Sequence, residues 1–175
     1  MLVKLNEPST KPVQEISKDS SAPGPNTLVT AIGFGSTDVA GQVYPDELYK
    51  VDVNVVANHN DYVEAYEDYL GFTVTEDLYF FAGDTEGEKD SCYGDSGGPL
   101  YDAATGIQYG ITSLGGDLCA DPDYPGGYVR VGSYASWIEN GICALSADPP
   151  ESCSSPSRAM SNLFLGFSKG QCTLE

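Results

Sequence analysis

From Lys50 to Val55 the chain alternates: Val51, Val53 and Val55 take one side, Lys50, Asp52 and Asn54 the other. A period of two marks a strand buried on one face, and it predicts a strand over 48–56. Apolar runs at 1–6, 27–34 and 77–82 read as further strands. Leu100–Asp102, Ile107–Leu114 and Gly127–Val131 complete the set. At residue 61 the period lengthens. Val63, Tyr66 and Leu70 recur at helical spacing behind Asp61 and Glu64, a capping-box pair, so a short helix is expected over 61–69. Ser133 is placed to cap a final helix with Tyr134, Trp137 and Ile138 on its inner face, and Gly141 is placed to end it. Residues 7–26 are polar and rich in Pro and Ser, a connection without periodicity. SADPPESCSSPSR has the composition of a linker, and NLFLGF behind it is far too short to span a bilayer.

Composition agrees with this mostly-β pattern. Gly 20, Pro 11 and Tyr 12 in 175 residues suit short strands joined by turns, and the length suits one domain with a sizeable core. No stretch is apolar for long enough to cross a membrane, and MLVKLNEPSTKP has neither the apolar core nor the cleavage site of a secretory signal. The net charge is −18, and residues 45–95 hold fourteen Asp and Glu against Lys50 and Lys89. Such a surface repels nucleic acid and anionic lipid and suits basic partners. Five cysteines without a CxxC pair, and His59 as the one histidine, argue against a metal site, and nothing in the chain calls for a cofactor. Cys153 and Cys172 are placed to close a small loop in the tail, and a loosely ordered tail is the alternative. No N-x-S/T sequon occurs.

The stretch with the most chemistry is Asp90–Leu100, DSCYGDSGGPL. A serine hydroxyl is a poor nucleophile. It needs a base to take its proton and donors to hold the oxyanion that develops. GDSGG supplies the local half of that. Gly94 has no side chain, so its amide can turn toward a substrate carbonyl, and the amides of Gly94 and Ser96 form a candidate oxyanion hole. Gly97 and Gly98 let a substrate backbone pass close by. Asp95, beside the serine, is poorly placed to orient a base and is expected to pair with a buried positive group.

DSCYGDSGGPL, then GITSLGG, YPGGYVRV and SYASWI, resembles the C-terminal half of the chymotrypsin/trypsin serine protease family, from Met1 to about Ile142. The resemblance implies an all-β fold: the second antiparallel β-barrel of a two-barrel protein, with a short intermediate helix and a C-terminal helix. Residues 1–26 would be the last strand of the first barrel and the connection, 27–142 the barrel and helix, and 143–175 a Pro/Ser/Cys tail. It makes Ser96 the nucleophile, Gly94 and Ser96 the oxyanion-hole amides, and Asp95 the acid that pairs with a newly cut amino terminus. Asp90 becomes the floor of the primary specificity pocket, Gly115 and Gly126 its walls, and Ser113 the start of the substrate-pairing segment. An acid floor with open walls implies protein or peptide substrates cleaved after Arg or Lys. Cys92 and Cys119 match the disulfide that braces the pocket. Two further family disulfides fall near Val29 with Asp102 and near Asn60 with Phe81, and both partners of each are absent together. Leu114 and Phe34 stand where the family commonly has tryptophan.

The family's catalytic histidine sits in an AAHC-type motif, which this sequence lacks, and its catalytic aspartate lies just before a segment like MLVKL. His59 reads as a surface residue. The resemblance therefore implies a truncated chain that is inactive alone and would work with the missing first barrel, in an extracellular or secretory setting. The alternatives are a non-catalytic homologue that binds basic peptides or proteins, and a fragment that does not fold well.

Overall fold

The computed structural model describes residues 1–57 and 59–154. The chain forms two compact units, Thr10–Ala135 and Met1–Ser9 together with the chain from Ser136. The first holds a closed barrel built from β1 (Leu28–Gly33), β2 (Tyr49–Val55), β3 (Tyr79–Gly83), β4 (Pro99–Asp102), β5 (Gln108–Leu114) and β6 (Gly127–Arg130). The strands run in the order β1-β2-β3-β6-β5-β4, and each neighbouring pair is antiparallel. Pairing of β1 with β4 closes the ring, so the sheet has no open edge to shield. The expected all-β barrel is formed.

Side-chain alternation decides what fills it. Val53 and Val55 of β2 point into a core with Val29, Ala31, Phe80, Ala82, Leu100 and Tyr128. Lys50, Asp52 and Asn54 stay exposed on the other face. β3 is apolar without alternation because both its faces are covered. Phe80 and Ala82 enter the barrel core, while Phe81 packs in a second cluster with Tyr66 and Val74. That second cluster holds helix α1 (His59–Leu70) beside the barrel. α1 starts two residues earlier than its capping pattern suggests. Asp61 therefore lies in the first turn, where a negative charge suits the helix dipole. Gly71, at φ 73°, ends it by donating from its N–H to Glu67 O at 2.9 Å.

Other contacts lie at or near the two places where the resemblance sets further disulfides. Val29 stands opposite Asp102 in the β1–β4 ladder. Tyr62, two residues on from Asn60, meets Phe81 with ring centroids 5.9 Å apart.

Several local expectations are corrected. Residues 1–6 form no strand, and Val3 and Leu5 are exposed. The connection 7–26 is no strand: it meets β5 at an isolated bridge from Ile16 to Gln108, and it is tied to β2 by Asn26 N–H donating to Val55 O at 2.8 Å and to β6 by the Arg130 guanidinium donating to Ala22 O at 2.9 Å. Ser133 does not cap the final helix. A 3-10 turn over Val131–Tyr134 precedes it, and the Ser133 hydroxyl donates instead to Asp77 O. Helix α2 runs Ala135–Leu145 and has no buried residue; Trp137 is exposed rather than on an inner face. Gly141 lies inside α2 because Leu2 packs on it: a Cβ there would sit 2.1 Å from Leu2 Cδ1. Cys143 pairs with Cys153, so the expected loop from Cys153 to Cys172 is not made; Cys172 and NLFLGF lie outside the described residues.

Candidate active site

Ser96 lies in the turn-rich link between β3 and β4. The N–H of Asp95 donates to Cys92 O at 3.0 Å, and that of Gly98 donates to Asp95 O at 2.9 Å, so two tight turns bracket the serine. Gly94 at φ 98° and Gly97 at φ 82° supply left-handed backbone that a side chain would strain. Gly97 N–H donates to Thr112 O at 2.9 Å and Thr112 N–H to Gly98 O at 3.0 Å, which fixes the segment to β5. Ser96 is left exposed. Among the described residues its hydroxyl and the amides of Gly94 and Ser96 make no hydrogen bond.

Beside Ser96 is a cavity of about 230 Å³ bordered by Asp90, Ser91, Thr112, Ser113, Gly115 and Leu118. Asp90 is half-buried. Its carboxylate accepts from Ser91 N–H at 2.7 Å and Ala120 N–H at 3.3 Å, yet desolvation outweighs these bonds and pushes the group up to about 7. Gly126 is buried against it: a Cβ there would lie 2.6 Å from Asp90 Oδ1 and 2.8 Å from Tyr128 Oη. A Cβ at Gly115 would meet nothing within 4 Å, so that wall is open. Ser113 is exposed at a register shift between Thr112 and Leu114 and has no register partner in β4 or β6.

Three residues of this region were not singled out by the sequence. Ser91 Oγ and Tyr128 Oη are 2.9 Å apart, both buried, behind Asp90. Tyr66, read only as an apolar helix position, donates from its hydroxyl to Pro125 O at 2.9 Å and Tyr124 O at 3.2 Å. It thereby holds the segment that ends in Gly126. The one available signal was Ser91 standing next to Asp90. Tyr66 and Tyr128 carried only the signature of core aromatics.

Asp95 turns away from this cavity into another of about 330 Å³. Its Oδ1 accepts from Gly35 N–H and its Oδ2 from Cys92 N–H, both at 2.9 Å. Lys50 and Lys89 border the same cavity, but among the described residues Asp95 has no ion pair. Backbone donors, not a buried cation, satisfy it. The fit is close: a Cβ on Gly33 would lie 1.9 Å from Asp95 Oδ1, and one on Gly35 2.4 Å from its Cγ. The Cys92–Cys119 disulfide is formed, and with Asp90 these two cysteines border both cavities, as a shared wall. His59 is the first residue of α1.

The chain is similar to known proteins over most of its described length. The family model for Trypsin matches residues 1–138. The venom plasminogen activator LV-PA of Lachesis muta muta is 37% identical over 80% of this chain and 52% of its own length. Glandular kallikrein-10 of Rattus norvegicus is 38% identical over 79% of this chain and 51% of its own. Among solved structures, neuropsin, a serine protease expressed in the limbic system of mouse brain, superposes with a TM-score of 0.63. It has 30% identity and covers 75% of this chain and 54% of that one. The chain thus spans about half the length of the curated relatives it matches. With a closed barrel, a serine between two left-handed glycines and a matching family model, this chain belongs to the trypsin family of serine proteases.

Proposed function

We propose that the chain carries the nucleophile and the primary pocket of a serine endopeptidase that cleaves after Arg or Lys. The observation behind this reading is that Asp90 and Ser96 border one cavity. Ser96 is the nucleophile. The unengaged amides of Gly94 and Ser96 receive the oxyanion. Asp90 faces the substrate's cation, Gly115 leaves room for its stem, Gly126 lets the Asp90 carboxylate pack close instead of lining the cavity, and Ser113 pairs with the substrate backbone. Asp95 is the acid that an activating amine would approach. The barrel segment 27–142 bears these groups.

The reaction also needs a base to take the proton from Ser96 and pass it to the leaving amine. In this reading the base and its aspartate come from a companion first barrel, and the chain alone hydrolyses negligibly. Phe34, Val39, Val43, Tyr44, Leu48 and Tyr49 are all exposed, a run of apolar surface that favours such a partner. Two disulfides and venom relatives favour an extracellular setting.

The test uses the full chain, a fluorescent one-arginine peptide and a serine-reactive fluorophosphonate. Binding without labelling of Ser96 is expected, and Asp90→Asn should weaken binding by about tenfold or more, the scale of losing a partly buried charge pair. Stoichiometric labelling would overturn the inactivity of the chain alone. Absent binding, or binding indifferent to Asp90→Asn, would overturn the pocket assignment.

A further inference from the structure

The lip of the Ser96 cavity carries a second carboxylate whose position is fixed. Gly116 and Leu118 border that cavity, and Asp117 stands between them, exposed. A surface aspartate ordinarily samples several rotamers. Here Tyr69, on α1, donates from its hydroxyl to Asp117 Oδ1 at 2.5 Å. The backbone carbonyl of Asp117 accepts from the Tyr93 hydroxyl at 3.0 Å. Both tyrosines are themselves held. The Tyr69 ring lies 5.4 Å from that of Tyr124, and the Tyr93 ring lies so close over Gly41 that a Cβ there would sit 2.3 Å from Tyr93 Cδ2. The bond to Asp117 holds the Tyr69 phenol above its ordinary range.

Asp117 Oδ2 makes no hydrogen bond among the described residues. No Lys or Arg occurs from Tyr101 to Val129, so this wall has no cation of its own sequence to neutralise it. A carboxylate already held in place loses little freedom on meeting a cation, and the ion pair keeps more of its Coulomb energy. Ser113, without a strand partner, offers backbone to an extended peptide. In antiparallel pairing, side chains on one face recur every second residue. β5 ends at Leu114, and Gly115 and the bend that carries Asp117 follow, so a peptide anchored opposite Ser113 would meet them with the residues that precede its anchor.

We propose that Asp117, held by Tyr69 and Tyr93, is a second recognition point for a basic side chain. Preferred peptides then carry two basic residues, one in the Asp90 cavity and one two to four positions before it. This rests on the reading of the Asp90 cavity given above.

The experiment compares the affinity of the full chain for a one-arginine peptide and for matched peptides with a second arginine two or four residues before the anchor. The readout is the ratio of the two affinities. We expect the second arginine to tighten binding about three- to fivefold at low salt, the scale of a surface ion pair, and the gain to shrink as salt rises. Asp117→Asn should bring the ratio to one. Tyr69→Phe should lower it, and Asp123→Asn, which removes another acid of the same loop, should leave it unchanged. A ratio of one in the unmodified chain overturns the proposal, as does a gain that survives Asp117→Asn or falls equally with Asp123→Asn. If the one-arginine peptide itself does not bind, the Asp90 reading fails first, so the two failures are told apart.

Discussion

Asp90 stands with one disulfide in the wall that two cavities share, Asp95 borders one of the two alone, and the molecule uses the same side chain in different ways at these places. Asp95 is bolted. Each of its oxygens accepts one backbone N–H at 2.9 Å, one of them from Gly35, sixty residues away in sequence. The glycines at 33 and 35 exist to let it in. Asp90 is held mainly by the N–H of the residue beside it, with a longer bond from Ala120, and burial leaves it short of compensation. A carboxylate of the first kind fixes a chain in place. One of the second kind keeps its proton to higher pH, because burial disfavours its charge.

The largest test of this contrast is pH. Asp90 is pushed from 3.8 up to about 7, so between those values the folded state holds a proton the unfolded state has lost. Its contribution to stability is fully present below about pH 4 and is lost as pH rises through about 7, by at most ~4 kcal/mol. Urea unfolding of the native chain against Asp90→Asn should show a pH-dependent difference across that window. Parallel curves would mean that Asp90 is no more desolvated than an ordinary surface acid. Next comes the shared wall. Replacing both Cys92 and Cys119 by Ser should cost about 3–4 kcal/mol in the chain-entropy model, read as a drop in Tm. It should loosen both cavities together. The smallest effect is local. Gly35→Ala forces a Cβ onto the Asp95 carboxylate and should cost about 2 kcal/mol, whereas Gly115→Ala, with nothing near it, should be almost silent. Equal losses from the two alanines would dissolve the distinction between a bolted and an open side.

The barrel was legible because period-two alternation survives wherever one face meets solvent, as in Val51, Val53 and Val55. β3 was legible only as an apolar run, since Phe80 and Phe81 are buried on opposite faces. The final helix misled for a different reason. Gly141 looks like a stop, but a glycine inside a helix can also be the hollow into which another side chain fits, and Leu2 occupies it. Likewise, the first six residues have strand-forming side chains and no ladder to join. At the candidate site, residues inside the GDSGG context could be located because spacing carries them. Ser91, Tyr66 and Tyr128 could not, because their contribution is a hydroxyl placed by tertiary packing, and packing leaves no local pattern.

The contacts that stand at or near the places of the absent disulfides have a consequence for how this protein meets a reducing medium. The β1–β4 pairing at Val29 and Asp102, bonded beside them from Ala103 N–H to Leu28 O, and the Tyr62–Phe81 ring contact are non-covalent, and thiols do not attack them. The half-buried Cys92–Cys119 bridge, at the wall between the two cavities, and the Cys143–Cys153 bridge are bonds that thiols exchange. Reductant would therefore act at the wall between the two cavities, with the stability cost given above, and leave these two non-covalent contacts untouched.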